Sequence, residues 1–149
     1  MALKDQLEAD LKAAMKQKDV LKVSVVRMLK SAIKYREIEV LKTLDDAGIQ
    51  AVVGSEIKRR RDSVDQYRQG GREDLASKEE AEIAMLQGYL PAQLSPGELE
   101  RIVDAAIARA GAQGPKDMGK VMKEVLPEVQ GKAEGKAVSE LVKAKLATR

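Results

Sequence analysis

Amphipathic α-helix is the structure that the sequence predicts over nearly its whole length. Apolar residues recur at intervals of three and four, which is the period of one helix face. Aromatic residues make up 2% of the chain and all are tyrosine, so Leu, Ile, Val, Ala and Met must form the core, a composition suited to helix packing. No stretch predicts a β-strand. We therefore expect an all-α protein of two helical subdomains: an N-terminal hairpin or bundle over residues 1–92 and a small three-helix bundle over residues 93–149.

The N-terminal part predicts two helices that form an α-hairpin. The first carries an apolar stripe of Leu3, Leu7, Leu11 and Ala14 or Met15. The second follows a short joint at residues 17–19 and runs from about residue 20 to residue 42. Its apolar face consists of Val26, Leu29, Ile33 and Val40 or Leu44.

A third helix is expected over residues 46–69, with an N-cap within residues 43–46. Its apolar stripe consists of Ile49, Val53, Ile57, Val64 and Tyr67, with Val52 beside it. The basic run at residues 58–61 interrupts this stripe, and Arg60 falls on it. Because four consecutive helical residues span most of the circumference, they cannot all face one ligand. We expect Arg60 to be ion-paired or to extend its charge to solvent, with a nucleic-acid contact as the alternative.

A fourth helix of about 15–18 residues is expected after the helix stop at residues 70–71. Its apolar residues are Ile83, Met85, Leu86, Tyr89 and Leu90. Ser77 and Glu80 resemble a capping box and offer a later start. The acidic cluster of Glu79, Glu80 and Glu82 is interpreted as a charged face that complements the arginine-rich third helix, because no His or Asp converges with it to form a metal or acid/base site.

The clearest boundary lies between residues 90 and 96, where Pro91 is expected to end the fourth helix. Ser95, Pro96 and Glu98 then supply an N-cap, a first-turn proline and a capping-box acid for a fifth helix that stops at Gly111. The apolar face of this helix consists of Leu99, Ile102, Val103, Ala106 and Ile107.

Two shorter helices complete the predicted C-terminal subdomain. Asp117 is expected to cap the first of them, which has Pro127 at its end. Its buried face consists of Met118, Val121, Met122 and Val125. After a turn at residues 131–135, the last helix covers about residues 135–147 and buries Val138, Leu141, Val142 and Leu146.

The composition excludes several classes of chemistry. The chain has no cysteine and no histidine, which excludes disulfides, thiolate catalysis, Cys/His metal sites and imidazole base catalysis. No set of residues predicts a catalytic, cofactor-binding or metal site. No apolar run approaches the roughly 18 residues of a transmembrane helix, and the polar N-terminus does not resemble a signal peptide. We expect a cytoplasmic protein that binds no membrane.

Lysines and glycines are concentrated in the last third of the chain. Residues 111–149 carry eight basic and five acidic side chains, an excess equal to the +3 net charge of the whole chain. Small residues beside lysines suit a surface that lies close to a polyanion. The candidate RNA contacts are Lys116, Lys120, Lys132 and Lys136, with Gly119, Gly131 and Gly135 allowing close approach. The alternative is that these lysines are ordinary surface charge and the glycines are structural turns.

Six segments together resemble the GatB/YqeY family, and specifically its free-standing YqeY-like members. In chain order they are Val26–Ile33, Lys58–Ser63, Gly71–Leu75, Tyr89–Ser95, Lys116–Met122 and Gly131–Lys136. The resemblance covers essentially the whole chain. It implies an all-α fold of two helical subdomains and similarity to the C-terminal tail of the B subunit of the tRNA-dependent amidotransferase, which converts Glu-tRNA(Gln) or Asp-tRNA(Asn) to the amide form.

In that enzyme the tail grips the tRNA body, whereas ATP use and amide transfer occur in other parts of the complex. The resemblance therefore implies a tRNA-binding module that has no cofactor and is not an enzyme. The alternative is an adaptor that docks on an amidotransferase or a tRNA synthetase through exposed apolar helix residues. The oligomeric state is left open.

A stand-alone enzyme is the third hypothesis, since a family-level label can read carbon–nitrogen ligase activity with glutamine as amido-N-donor. Activation of a carboxylate by ATP needs a phosphate-binding loop, and release of ammonia from glutamine needs an activated nucleophile. No glycine-rich loop follows a strand, and the serines are scattered singly. We therefore do not expect such activity from this chain alone.

Overall fold

The structure, a computed structural model, describes residues 2–148 and contains seven α-helices and no β-strand within that range. The predicted all-α fold is confirmed. The chain divides into two compact units, Met1–Leu90 and Pro91–Arg149. The subdomain boundary predicted from the sequence lies two residues after this division.

The first unit contains four helices: α1 (Leu3–Lys16), α2 (Val20–Val40), α3 (Asp46–Gln69) and α4 (Glu73–Gln87). Each contributes an aliphatic face to one core. Its buried members are Leu3, Leu7, Val25, Val26, Leu29, Ile33, Ile49, Val53, Ile57, Val64, Ala76, Ile83, Leu86 and Tyr89. The predicted stripes of α1, α2 and α3 therefore point inward, except that Met15 is half exposed.

The second unit contains α5 (Pro96–Ala110), α6 (Met118–Val129) and α7 (Gly135–Ala147), with a 3-10 turn at Pro115–Asp117 before α6. Its core is separate from that of the first unit. The buried members are Leu99, Val103, Ala106, Ile107, Ala112, Val121, Val125, Val129, Val138, Val142 and Leu146. These include most of the apolar positions that the helical period selects in the sequence.

Local capping explains where most helices begin. The carboxylate of Asp19 accepts a hydrogen bond from the Lys22 amide (3.1 Å) at the start of α2. The carboxylate of Asp45 accepts one from the Gly48 amide (2.8 Å) at the start of α3. At α5 the predicted capping box is present in both directions between Ser95 and Glu98.

Two predicted helix ends lie further along the chain than the observed ones. α2 ends at Val40, because Leu41 adopts a left-handed conformation (φ 57°) and the Leu44 amide turns back to the Glu37 carboxylate (2.8 Å). α4 ends at Gln87, four residues before Pro91. Tyr89 leaves the helix, and its hydroxyl donates to Asp10 at 2.6 Å. Burial raises the pKa of Tyr89 well above its ordinary range.

The capping box suggested for Ser77 and Glu80 is wrong. α4 begins at Glu73, two residues after Gly71, which has φ 72° and lets the chain turn out of α3. Ser77 lies in the second turn of α4, where its hydroxyl donates to the Glu73 carboxylate at 3.3 Å. The same sequence spacing therefore gives a cap at Ser95 and an ordinary helical serine at Ser77.

One detail predicted for α6 is also wrong. The side chain of Asp117 does not cap this helix, because its carboxylate accepts a hydrogen bond from the preceding Gln113 amide at 2.9 Å. Pro127 lies inside the last turn, and α6 continues to Val129. A proline removes the hydrogen bond to the carbonyl four residues earlier. Pro127 and Lys123 are both exposed, so the missing hydrogen bond lies on the solvent side of α6.

The two serines give a matched test of capping. Ser95→Ala is expected to lower the free energy of unfolding by about 1 kcal/mol, because it removes an N-cap acceptor. Ser77→Ala is expected to leave stability unchanged or slightly higher, because alanine is the better helix former. Urea unfolding followed by circular dichroism measures both. An equal loss in the two variants would contradict the assignment of the cap.

Candidate nucleic-acid interface

The directions of the three helices in the second unit follow from contacts at their ends. The Leu94 amide, just before α5, donates to the Lys132 carbonyl, just before α7, at 2.8 Å. Further along both helices, Lys145 contacts Glu100 at 2.6 Å and Asp104 at 3.1 Å. α5 and α7 therefore run in the same general direction. α6, which connects them in the sequence, runs in the opposite direction.

The four candidate lysines are all exposed but form two separate pairs. Lys116 lies in the turn before α6 and Lys120 in the first turn of that helix. Lys132 follows the end of α6, and Lys136 lies in the first turn of α7. The nine residues of α6 that follow Lys120 separate the two pairs by about 14 Å. One phosphate group cannot contact both pairs.

The three candidate glycines differ in what their backbones require. Gly131 has φ 76°, a left-handed conformation that favours glycine and that the turn between α6 and α7 requires. Gly119 and Gly135 lie in the first turns of α6 and α7, where an added Cβ would meet no atom within 4 Å. Of these three candidates, only Gly131 is a glycine that the fold requires.

Carboxylates in this unit are paired mainly with two cations other than the candidate lysines. Arg109 contacts Glu124 at 3.3 Å and Glu128 at 3.6 Å, and Lys145 contacts Glu100 and Asp104. Hydrogen bonds to those two carboxylates raise the pKa of Lys145. Among the candidates, Lys120 reaches Asp117 at 3.9 Å.

Two more lysines belong with the candidates and were missed in the sequence. Lys123 lies on α6 and Lys143 on α7, and both are exposed. Within residues 2–148, neither they nor Lys116, Lys132 and Lys136 have a carboxylate within ion-pair distance. The sequence signal for Lys123 is its spacing of three residues from Lys120, which places both on one side of α6. Neither Lys123 nor Lys143 has a glycine next to it in the sequence.

A groove of about 520 Å³ lies between the beginnings of α5 and α7. Leu94, Leu99 and Leu141 line it, together with Lys132 and Glu100. Lys132 therefore borders the side of the unit where α5 and α7 meet.

The arginine-rich segment of the first unit is an ion-pair network. Arg60 is buried, as its place on the apolar stripe of α3 predicts, and contacts Glu56 at 2.9 Å and Glu82 at 3.2 Å. Its guanidinium also lies 2.8 Å from the sulfur of Met28. The ion-paired interpretation of Arg60 is confirmed, and its buried guanidinium is not accessible to a nucleic acid.

The acidic cluster of α4 faces these arginines, as predicted. Glu79 lies 3.9 Å from Arg60, and Glu80 pairs with Arg68. Burial raises the pKa of Glu79, and the neighbouring charge of Glu82 acts in the same direction. Across residues 2–148 no three acidic side chains gather as a metal site. None of the helices in this range has the length and apolar character needed to cross a membrane.

Comparison with known proteins gives a family and a set of relatives. The sequence model of a family described as "Yqey-like protein" matches residues 4–146. Three similar yeast proteins share the name "Altered inheritance of mitochondria protein 41, mitochondrial". The one from Vanderwaltozyma polyspora is 39% identical over 101 residues, which are 66% of this chain and 55% of its own length. The one from Lachancea thermotolerans is 37% identical over 103 residues, which are 68% of this chain and 54% of its own length. The one from Saccharomyces cerevisiae is 31% identical over 112 residues, which are 70% of this chain and 60% of its own length. The aligned part of this chain thus spans little more than half the length of these relatives.

The raised pKa of Glu79 predicts how stability responds to its removal. Because the pKa in the folded state lies above the ordinary value of 4.5, the stability that Glu79 contributes is present below that pH and lost as the pH rises through the folded pKa. Glu79→Gln is therefore expected to raise the melting temperature at pH 7 and to have less effect near pH 4. Arg60 keeps Glu56 and Glu82 as partners.

Two neighbouring variants serve as controls in the same thermal melts. Glu82→Gln is expected to destabilise the protein by about 1–3 kcal/mol, because it weakens a hydrogen-bonded partner of buried Arg60. Glu80→Gln removes a largely exposed pair with Arg68, and its effect should stay below about 1 kcal/mol. A lower melting temperature for Glu79→Gln at pH 7 than for the wild type would contradict the prediction.

Proposed function

Because the chain belongs to the YqeY-like protein family, we propose that it is a non-catalytic RNA-binding module whose second unit holds the body of a tRNA. The observation that carries this proposal is the charge arrangement of that unit. Its carboxylates pair mainly with Arg109 and Lys145, whereas most of its exposed lysines have no such partner within residues 2–148. Unpaired lysines are available to neutralise phosphates and release the counterions bound to RNA.

The composition of the second unit favours contacts with the RNA backbone. The three tyrosines of the chain, Tyr35, Tyr67 and Tyr89, all precede Pro91. The second unit therefore offers no aromatic ring on which an unpaired base can stack. Lysine contacts position a nucleic acid by its phosphates and carry little sequence information. Recognition by shape suits a folded RNA such as a tRNA.

The proposal includes the absence of catalysis by this chain. Its acidic cluster on α4 is engaged with Arg60 and Arg68, which leaves no free carboxylate pair there for acid/base chemistry. Any amide transfer would belong to a partner enzyme. A cytoplasmic location is also part of the proposal, whereas the names of the three yeast relatives assign those proteins to mitochondria.

A second candidate function is that of an adaptor for an amidotransferase or a tRNA synthetase. It is favoured by exposed apolar side chains near the end of α2, since Tyr35, Ile38 and Leu41 are 78%, 66% and 89% exposed. A groove of about 690 Å³ between α2 and α3 lies beside Tyr35. Binding through such a surface depends little on salt, whereas binding to phosphates weakens steeply as salt rises.

Fluorescence anisotropy with labelled tRNA over a salt series tests the proposed function. The variant that replaces Lys116, Lys120, Lys132 and Lys136 by alanine is expected to bind at least tenfold more weakly, which corresponds to about 1.4 kcal/mol. The slope of log affinity against log salt should become shallower by about one for each phosphate that the variant no longer neutralises. This follows because a phosphate without its lysine retains its counterions when the protein binds.

The chain offers a control with the same change of net charge. Lys34, Lys42, Lys58 and Lys78 are exposed lysines of the first unit, and their replacement by alanine should leave affinity within about twofold. If the two quadruple variants lose affinity equally, binding is nonspecific attraction to positive charge. If the wild type binds no tRNA below tens of micromolar at low salt, the RNA-binding proposal fails for this chain.

A further inference from the structure

Helix α2 of the first unit is apolar on two opposite sides. One side is buried in the core through Val25, Val26, Leu29 and Ile33. The opposite side carries Val20, Tyr35 and Ile38, which are 81%, 78% and 66% exposed. In the part of the chain that the structure describes, six large apolar side chains are exposed, and four of them lie on α2 or directly after it. A helix with apolar side chains on both sides is typical of a helix that is covered on both sides.

The exposed side of α2 forms one continuous stripe. Its members recur at intervals of three and four, which keeps them on one side of the helix. All of them are exposed, and they extend over 18 residues, a length of about 27 Å at 1.5 Å per residue. We call this stripe the α2 outer face, and its residues are Val20, Ser24, Arg27, Ser31, Tyr35 and Ile38.

The groove between α2 and α3 runs along one edge of the α2 outer face. Ser31 and Tyr35 belong to both the groove and the face. Four of the side chains that line the groove are small, namely Ser31, Ala32, Ala51 and Ser55. Small side chains allow the axis of another helix to come close, and helices pack by placing side-chain ridges into such grooves. The shape of this surface therefore suits a helix.

The edge of the α2 outer face that lies away from the groove is positively charged. Arg27 and Lys34 are exposed there and are seven residues apart. Within residues 2–148, neither has a carboxylate at ion-pair distance. Two carboxylates on this side have other partners, in the pairs Glu37–Lys4 and Glu8–Lys30.

The groove edge of the α2 outer face carries charges of both signs. Arg36 pairs with Glu39 at 2.8 Å, and Arg59 lies 3.6 Å from Glu56. Asp62, which is exposed, follows Arg59 by one turn of α3. The unpaired cations of this surface are therefore those on the edge away from the groove, and they favour a partner that presents carboxylates to that edge.

We propose that the α2 outer face binds an acidic amphipathic helix of a partner protein. Apolar residues of that helix contact Val20, Tyr35 and Ile38, and its carboxylates pair with Arg27 and Lys34. This inference rests on the adaptor function, the second candidate above, and deepens it because it names the chemistry of the partner. It does not depend on RNA binding by the second unit.

The same features disfavour two other occupants. A second copy of the chain, related by a two-fold axis, would present the same residues to the same surface. Pairing of two α2 helices about the middle of the stripe would then bring Arg27 and Lys34 of both copies together, and like charges repel. A nucleic acid accounts for the two cations, but its phosphates gain nothing from exposed side chains such as Val20 and Ile38.

Two labelled peptides test the proposal on the full chain by fluorescence anisotropy at low salt. The first is a helical peptide of about 18 residues, long enough to span the face, with leucines at intervals of three and four between glutamates. The second has lysines in place of the glutamates. The wild type is expected to bind the acidic peptide at least about tenfold more tightly than the basic one.

Three double variants assign the binding to the face. Tyr35→Ser/Ile38→Ser is expected to weaken binding of the acidic peptide at least about fivefold, because it removes the apolar contacts. Arg27→Ala/Lys34→Ala should reduce the preference for the acidic peptide to less than about threefold. Met15→Ser/Leu126→Ser removes exposed apolar side chains elsewhere and should leave affinity within about twofold. Circular dichroism melts of each variant confirm that the fold is retained.

The outcomes separate this inference from the proposed RNA binding. If Tyr35→Ser/Ile38→Ser binds the acidic peptide as the wild type does, the face is wrong, and equal binding of the two peptides contradicts an acidic partner. If sedimentation shows a wild-type dimer that this variant abolishes, the occupant is a second copy. If the variant also weakens tRNA binding tenfold, the occupant is RNA. The quadruple lysine variant described above should bind the acidic peptide normally, so a failure of tRNA binding leaves this inference standing.

Discussion

A core without phenylalanine or tryptophan is the constraint on which both units depend. The buried side chains are almost all aliphatic, and several of them are alanines, including Ala14, Ala76 and Ala106. Small side chains fill space only when helix axes come close together. Close approach leaves little room for polar groups in the interior. The charged residues are therefore sorted to the helix flanks, and their arrangement on those flanks decides what each unit can bind.

Arg60 is the exception that shows how strict this sorting is. It lies on the apolar stripe of α3 and is 7% exposed, so its charge must be matched inside the protein. Glu56 comes from the same helix and Glu82 from α4. The need for Glu82 fixes how α4 lies against α3, and the arginine run thereby becomes part of the fold. The arginines on either side of Arg60 are exposed. Further along α3, Arg68 forms a second ion pair with α4, through Glu80.

Most of the fold could be predicted because its determinants are local. The bounds of α3 follow from its Asp45 cap and the glycine that stops it, and those of α7 follow from a helical period that the sequence displays directly. The errors arise where a local signal has two outcomes that only tertiary contacts decide. Asp117 was expected to cap the next helix, but it binds the preceding Gln113 amide. Ser77 has the spacing of a capping box, but α4 begins four residues earlier, at Glu73.

The candidate site was only partly accessible from the sequence, for a different reason. The sequence selects Lys116, Lys120, Lys132 and Lys136 because each lies close to a glycine along the chain. Which lysines share a surface depends instead on the directions of α6 and α7 and on the flank that each presents to α5. Chain order groups Lys132 with Lys136, but it does not show that Lys132 borders the groove between α5 and α7 or that Lys123 and Lys143 are equally exposed.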